Sequence, residues 1–193
     1  MKIGLYFGSF NPIHTGHLII ANHVLNETDL QRIWFVVSPQ NPFKPSSTLL
    51  NEYDRLHLVQ IAVEKDDRLK ASEIEFSLPK PSYTAHTLAY LIEKYSSHQF
   101  TIIMGSDSYQ NLPKWKSADT IMANYPIIIY RRPGFDVQNE NEKAMIMDAP
   151  LLEISATYIR DCIQRGKSIK YLVPNNVEEE IEKSGFYKSH QKK

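Results

Sequence analysis

Between an apolar run of strand formers, Lys2-Ile3-Gly4-Leu5-Tyr6-Phe7, and a run with helical spacing, Leu18-Ile19-Ile20-Ala21-Asn22-His23-Val24-Leu25, lies Gly8-Ser9-Phe10-Asn11-Pro12-Ile13-His14-Thr15-Gly16-His17. The change of period from two to 3.6 across this stretch predicts a strand-to-helix turn at the start of a βα unit. In an open α/β sheet, ligands bind beyond the carboxyl ends of the strands, where this turn must lie. Gly8 permits close approach of a backbone or a ligand, and Pro12 stiffens the loop. His14 and His17 are three apart where the helix begins, so both rings can project toward one point, with Gly16 leaving the space beside them clear. A helix N-terminus there adds free N–H groups and a partial positive charge. Together these features make a site for a polyanion.

Plainer readings exist for the same residues. A histidine on such a turn can simply cap the helix, and a histidine pair can begin a zinc site. The zinc reading needs further ligands, and the only cysteine is Cys162, with no H-E-x-x-H pattern. A P-loop and the usual dinucleotide fingerprint are both missing from the sequence.

With 193 residues and a formal net charge of zero, one domain with a proper core is expected, and neither nucleic acid nor an anionic membrane is the expected partner. The lone cysteine, the lack of a membrane-length apolar run and the lack of a leader pattern suit a cytoplasmic protein. Residues 1–187 form the expected domain and 188–193 a frayed tail. A homo-oligomer is compatible with all of this.

Along the chain, Ile33-Trp34-Phe35-Val36-Val37 reads as a second strand, followed by a proline-rich loop whose only cation is Lys44. Asn51 starts a helix in which Arg55 can reach the site or pair with Glu52 or Asp54. Leu69 to Leu78 reads as an extended connection with a strand, from the alternation of Ile74 and Phe76. Ser82 or Thr84 caps the next helix, and that N-terminus can equally hold a substrate carboxylate or phosphate. The strand Phe100 to Met104 runs into Gly105-Ser106-Asp107, where a carboxylate suits a ribose hydroxyl, a metal ion or a cap. Trp115 can stack on a ligand ring or fill the core. The strand Pro126 to Tyr130 is closed by Arg131-Arg132-Pro133-Gly134, and Phe135 to Asn141 reads as a polar loop. Leu151-Leu152-Glu153-Ile154 reads as a last strand, entering a second strand-to-helix turn at Ser155. There Ser155, Thr157 and Arg160 offer hydroxyls, amides and a guanidinium to a phosphate, or else a capped helix with a surface arginine. Alternating strands and helices imply an α/β, Rossmann-like doubly wound sheet, mostly parallel, with helices on both faces.

The stretch Gly8–His17 resembles the G-x-F-x-P-x-H-x-G-H signature of the nucleotidylyltransferase superfamily, and Ile154–Arg160 is similar to its I-S-S/A-T-x-I-R motif. Within that superfamily, Pro81-Ser82-Tyr83-Thr84 with Thr87-Leu88, Gly105-x-Asp107, Leu112-Pro113-Lys114-Trp115, Arg131-Arg132-Pro133-Gly134 and the ending Gly185-Phe186-Tyr187 look like the nicotinate-nucleotide adenylyltransferases. Two positions depart from that pattern: Asn41-Pro42-Phe43-Lys44 stands where P-P-H-K is usual, and His86 where an aspartate is common.

The resemblance implies transfer of AMP from ATP to nicotinate mononucleotide, with Mg²⁺ carried on the triphosphate rather than on a dedicated set of protein ligands. It implies ATP contacts from Gly8, Ser9, Phe10, His14, His17, Gly105, Asp107, Ser155, Thr157 and Arg160. Acceptor contacts fall to Asn41, Thr84, Trp115 and Arg132, and the catalytic set is His14, His17, Lys44 and Arg160. Related enzymes acting on nicotinamide mononucleotide or phosphopantetheine are the nearest rival expectation.

Overall fold

The structure is a computed structural model that describes residues 1–40, 49–138, 141–150 and 152–188. Its centre is a six-stranded sheet in the order β3-β2-β1-β4-β5-β6. The strands are β1 (Lys2–Gly8), β2 (Arg32–Val37), β3 (Leu69–Ser72), β4 (Gln99–Gly105), β5 (Ile127–Tyr130) and β6 (Ala144–Met147). Every neighbouring pair is parallel. The helices are α1 (Thr15–Glu27), α2 (Glu52–Val63), α3 (Thr84–Lys94), α4 (Ser106–Asn111), α5 (Ala118–Asn124), α6 (Ala156–Gln164) and α7 (Asn175–Ser184).

A parallel sheet must be covered on both faces, and the period of two in its strands divides the core in two. Ile33, Phe35 and Val37 of β2 face one cluster, with Ile103, Ile128 and apolar residues of α1, α2, α6 and α7. Trp34 and Val36 face the other, with Ile102, Ile127, Ile129 and residues of α3 and α5. The order of strands reverses between β1 and β4, which is the switch point where an open α/β sheet leaves a crevice.

The connection Leu69–Leu78 does contain a strand, β3 over Leu69–Ser72, but two expectations of extended chain are corrected. Ile74–Ser77 is a 3₁₀ turn, not extended chain. Just past the sheet edge, Ile74 drops into one cluster while Phe76 packs on the other, which imitates strand alternation. The segment Leu152-Glu153-Ile154 is irregular, and the last strand is β6, farther back, next to the reading of a polar loop. Residue 151 is outside the described residues. The Phe135–Asn141 reading also missed Val137, which is buried in the second cluster.

Candidate active site

A cavity of about 660 Å³ opens at the switch point, within the range of nucleotide-sized pockets. Its wall includes Gly8, Ser9, Phe10, His14, His17, Asp107, Arg132, Ser155, Thr157 and Arg160, residues distant in sequence that come from the end of β1 and the turn after it, from the chain just after β5 and from the starts of α1, α4 and α6.

The turn after β1 is built around the ring of Phe10, which is 3% exposed and sits edge-on to Tyr6, Phe35 and His17. A Cβ on Gly8 would lie 2.8 Å from that ring. Gly8 therefore makes room for the ring of Phe10, and it also lies on the cavity wall. Phe10 takes φ +44°, the left-handed region that few bulky residues occupy. Its ring serves packing and leaves the backbone of the turn to face the cavity.

The imidazoles of His14 and His17 stack with centroids 3.7 Å apart. The His14 amide donates to His17 Nδ1 at 3.2 Å, so a neutral His17 carries its proton on Nε2. His14 is the N-cap of α1, and its Nδ1 is buried without a hydrogen-bond partner. Burial first, and the Arg132 charge second, lower the His14 pKa to about 4, so it is neutral at physiological pH. A Cβ on Gly16 would stand 3.1 Å from His14 Nδ1, so this glycine does keep the space beside the ring open. The Thr15 amide is already bonded to the Leu172 carbonyl at 2.9 Å, which leaves the side chains as the main donors of this helix start.

Across the cavity, Arg132 Nη1 meets Asp107 Oδ2 at 2.9 Å, while Asp107 Oδ1 is buried and unpartnered. Both side chains close over Gly105, where a Cβ would come within 2.5 Å of Asp107 Oδ1 and 2.8 Å of Arg132 Cδ. Gly105 is not on the cavity wall, and its part is to let this ion pair form. The Arg132 amide donates to Ser106 Oγ, which is fully buried, at 2.9 Å.

The third wall is the start of α6. It follows an irregular segment instead of a strand, yet it faces the same cavity as α1. Ser155 caps the helix by accepting from the Tyr158 amide at 3.1 Å. Arg160 donates to the Asn11 carbonyl at 2.7 Å and to Thr157 Oγ1 at 3.3 Å, which ties α6 to the first turn.

Thr84 and Trp115 lie elsewhere. Thr84 is the first residue of α3, whose N-cap is Tyr83 and neither of the two residues expected. Trp115 packs half-buried against the second core cluster. The two segments meet, with Lys116 Nζ 4.8 Å over the Tyr83 ring. Asn41 and Lys44 lie outside the described residues.

Some residues of the site escape a motif reading. Tyr6 and Tyr130 line the cavity and bond hydroxyl to hydroxyl at 3.0 Å, and burial raises both pKa values, keeping both phenols neutral. The signal available was their place at or near the carboxyl ends of β1 and β5. Away from the cavity wall, Glu75 is 1% exposed, with its carboxyl pushed up by burial, and accepts from Thr87 of α3 at 2.8 Å. No sequence signal marks it.

A crevice at the switch point of a parallel sheet, with a stacked histidine pair and two arginines converging on it, defines a nucleotide-binding α/β protein with the means to hold a polyphosphate. The cytidylyltransferase-like family model matches residues 5–162. The chain is 49% identical over 194 residues to a probable nicotinate-nucleotide adenylyltransferase of Cytophaga hutchinsonii, across 98% of this chain and 100% of that protein. A protein of the same name from Flavobacterium psychrophilum is 50% identical across 97% of this chain and 100% of its own length. Nicotinic acid mononucleotide adenylyltransferase of Plasmodium falciparum, solved in complex with NaAD, shares the fold with a TM-score of 0.83 at 20% identity, over 96% of this chain and 97% of that one. This chain belongs to the nicotinate-nucleotide adenylyltransferase branch of the cytidylyltransferase-like family.

Proposed function

We propose that this protein transfers the adenylyl group of ATP to nicotinate mononucleotide, forming nicotinate adenine dinucleotide and pyrophosphate. The observation that carries this reading is the convergence of His14, His17, Asp107, Arg132, Thr157 and Arg160 on one cavity, in a chain about half identical to named relatives along its whole length.

The acceptor's 5′-phosphate oxygen attacks the α-phosphorus of ATP in line, and pyrophosphate leaves. A phosphate monoester is already nucleophilic at neutral pH, so no general base is needed, and catalysis consists of positioning and charge stabilisation. His17 donates from Nε2 to an α-phosphate oxygen. His14, held neutral by burial, contributes a hydrogen bond and no charge. Neutralisation therefore falls to Arg160 on the β,γ-phosphates, joined by Lys44 from outside the described residues. Gly8, Ser9 and Phe10 offer backbone to the nucleotide, Asp107 meets its nucleoside part with Gly105 giving Asp107 its place, and Ser155 and Thr157 line the phosphates. Arg132 meets the acceptor's phosphate, while Thr84, Trp115 and Asn41 form the acceptor end.

Mg²⁺ accompanies the triphosphate. No group of three or more metal-ligating side chains occurs among the described residues, and the only carboxylates on the cavity wall are Asp107 and Glu153. That donor set suits a hard cation that keeps most of its ligands as phosphate oxygens and water. When bound, the ion neutralises charge on the leaving pyrophosphate.

No helix among the described residues is long and apolar enough to cross a membrane, and a cytoplasmic site of action fits a protein working on free nucleotides. The test is pyrophosphate release with ATP and Mg²⁺, offering nicotinate mononucleotide, nicotinamide mononucleotide and phosphopantetheine separately. Preference for the acid supports the proposal. Equal use of acid and amide removes carboxylate recognition, and release with phosphopantetheine alone overturns the acceptor assignment.

A further inference from the structure

Arg55 is the largest of the fully buried side chains, at 0% exposure, and it forms no ion pair among the described residues. Its guanidinium is spent on backbone carbonyls instead. Nη1 donates to Ser9 at 2.5 Å and to Ser38 at 2.9 Å. Nη2 donates to Pro39 at 3.0 Å, and Nε to Leu50 at 2.9 Å. Neither sequence expectation for Arg55, reaching the cavity or pairing with Glu52 or Asp54, describes this arrangement.

The carbonyls it gathers have a particular location. β1 and β2 are paired as far as Gly8 and Val37, and the Ser38 amide still bonds the Gly8 carbonyl at 2.9 Å. Beyond that bond the chains part: Ser9 leads into the histidine turn on the ATP side, while Ser38-Pro39-Gln40 leads toward the acceptor side. Gln40 in turn accepts from the Ser82 amide at 3.2 Å, in the segment that opens α3. One nitrogen of Arg55 thus bridges the two loops where the ladder can no longer hold them. The Ser9–Phe10 peptide is planar and trans, so a carbonyl turned toward buried Arg55 turns the Phe10 N–H the opposite way, toward the face that lines the cavity.

We propose that Arg55 is a positioning residue that fixes the distance between the ATP half and the acceptor half of the site, by holding the loops after β1 and β2 in one register through four carbonyls. In-line transfer depends on that distance more than binding of either substrate alone does. Loss of Arg55 therefore lowers kcat and leaves both KM values near those of the unaltered protein. Arg55→Lys keeps the charge but gathers its donors at one point, so it cannot span Leu50 and Pro39.

The test rests on the adenylyl-transfer reading and uses the full chain. Arg55→Lys is compared with Val63→Ala, a core truncation two turns farther along α2 that destabilises without touching the loops. Both are assayed at a temperature where circular dichroism shows them folded. The expected result is a fall in kcat of about 10–100-fold for Arg55→Lys, with little change in either KM, and an unchanged kcat for Val63→Ala. An unchanged kcat in Arg55→Lys, or an equal loss in Val63→Ala, overturns the proposal. Should Arg55→Lys fail to fold, arginine-labelled unaltered protein decides the matter by NMR. Slow rotation of the Arg55 guanidinium, in the presence of a non-hydrolysable ATP analogue and acceptor, supports the grip; fast rotation refutes it. Absence of turnover in the unaltered protein would sink the functional reading instead, leaving this second measurement valid.

Discussion

The two helix starts that face the cavity solve the same electrostatic problem differently. At α1, the N-cap is a histidine, the Thr15 amide is taken by Leu172, and two stacked imidazoles stand over the opening with one buried nitrogen unsatisfied. At α6, Ser155 caps its own helix in the ordinary way and a guanidinium one turn on reaches out to the first loop. An unsatisfied buried polar atom costs stability, whereas a satisfied cap contributes it. The strained start is thus the one committed to chemistry, and the relaxed one is committed to holding charge. That division predicts that changes at α1 alter turnover and changes at α6 alter nucleotide binding.

The largest effect is expected at His17. Its Nδ1 is engaged by the His14 amide, so removal of the ring takes away the Nε2 donor, together with its stacking on His14 and its edge contacts with Tyr6 and Phe10. His17→Ala should lower kcat by about 10²–10³-fold, the scale for one preorganised donor, with the fold retained by circular dichroism. Pyrophosphate release under saturating substrates measures it. An intact kcat would remove α1 from the chemistry and end the comparison.

Next comes the cost stored in His14. Its folded pKa of about 4 lies below the ordinary 6.5, so between those values the unfolded chain binds a proton that the folded protein does not. Stability from this group is complete above 6.5, falls as pH drops through that window, and levels off below about 4. The full loss is about 3 kcal/mol. Urea unfolding at a series of pH values should show that slope, and His14→Gln should flatten it. No comparable slope is expected from Ser155 at the α6 start, which does not titrate.

Much of this architecture could be read from the chain, for physical reasons that particular residues make plain. The first turn was legible because its period changes abruptly around Gly8–His17, and the strands of β1, β2, β4 and β5 because parallel strands buried on both faces are continuous apolar runs. Gly16 was read correctly, since its role is local to the helix start. What crowds Gly8 and Gly105 was not legible, because it is the ring of Phe10 and the paired Asp107 and Arg132, and the latter contact exists only after β4 and β5 are side by side. Ile74 and Phe76 alternate like a strand because they serve two clusters at a sheet edge. Arg55 was illegible for a deeper reason: its partners are main-chain carbonyls, which no sequence displays.

Arg160 comes third. Hydrogen bonds to charged groups are worth about 1.5–3 kcal/mol, so Arg160→Ala should raise the KM for ATP by about 10–100-fold with a smaller change in kcat. Part of that rise reflects release of the Asn11 carbonyl, which the guanidinium holds at 2.7 Å. Initial rates across ATP concentrations at saturating acceptor separate the two parameters. A fall confined to kcat would place α6 beside α1 in the chemistry.

The smallest effect sharpens the comparison most. Ser155 accepts from the Tyr158 amide, and loss of such a cap costs about 1 kcal/mol. Its hydroxyl proton remains free to meet a phosphate, but as a neutral donor it is worth less than Arg160. Ser155→Ala should therefore lower stability by about that amount and raise the KM for ATP by less than Arg160→Ala does. Thermal unfolding and the same ATP titration check both halves. Should Ser155→Ala raise KM more than Arg160→Ala, anion binding at α6 belongs to the helix start itself, and its difference from α1 narrows to the identity of the cap.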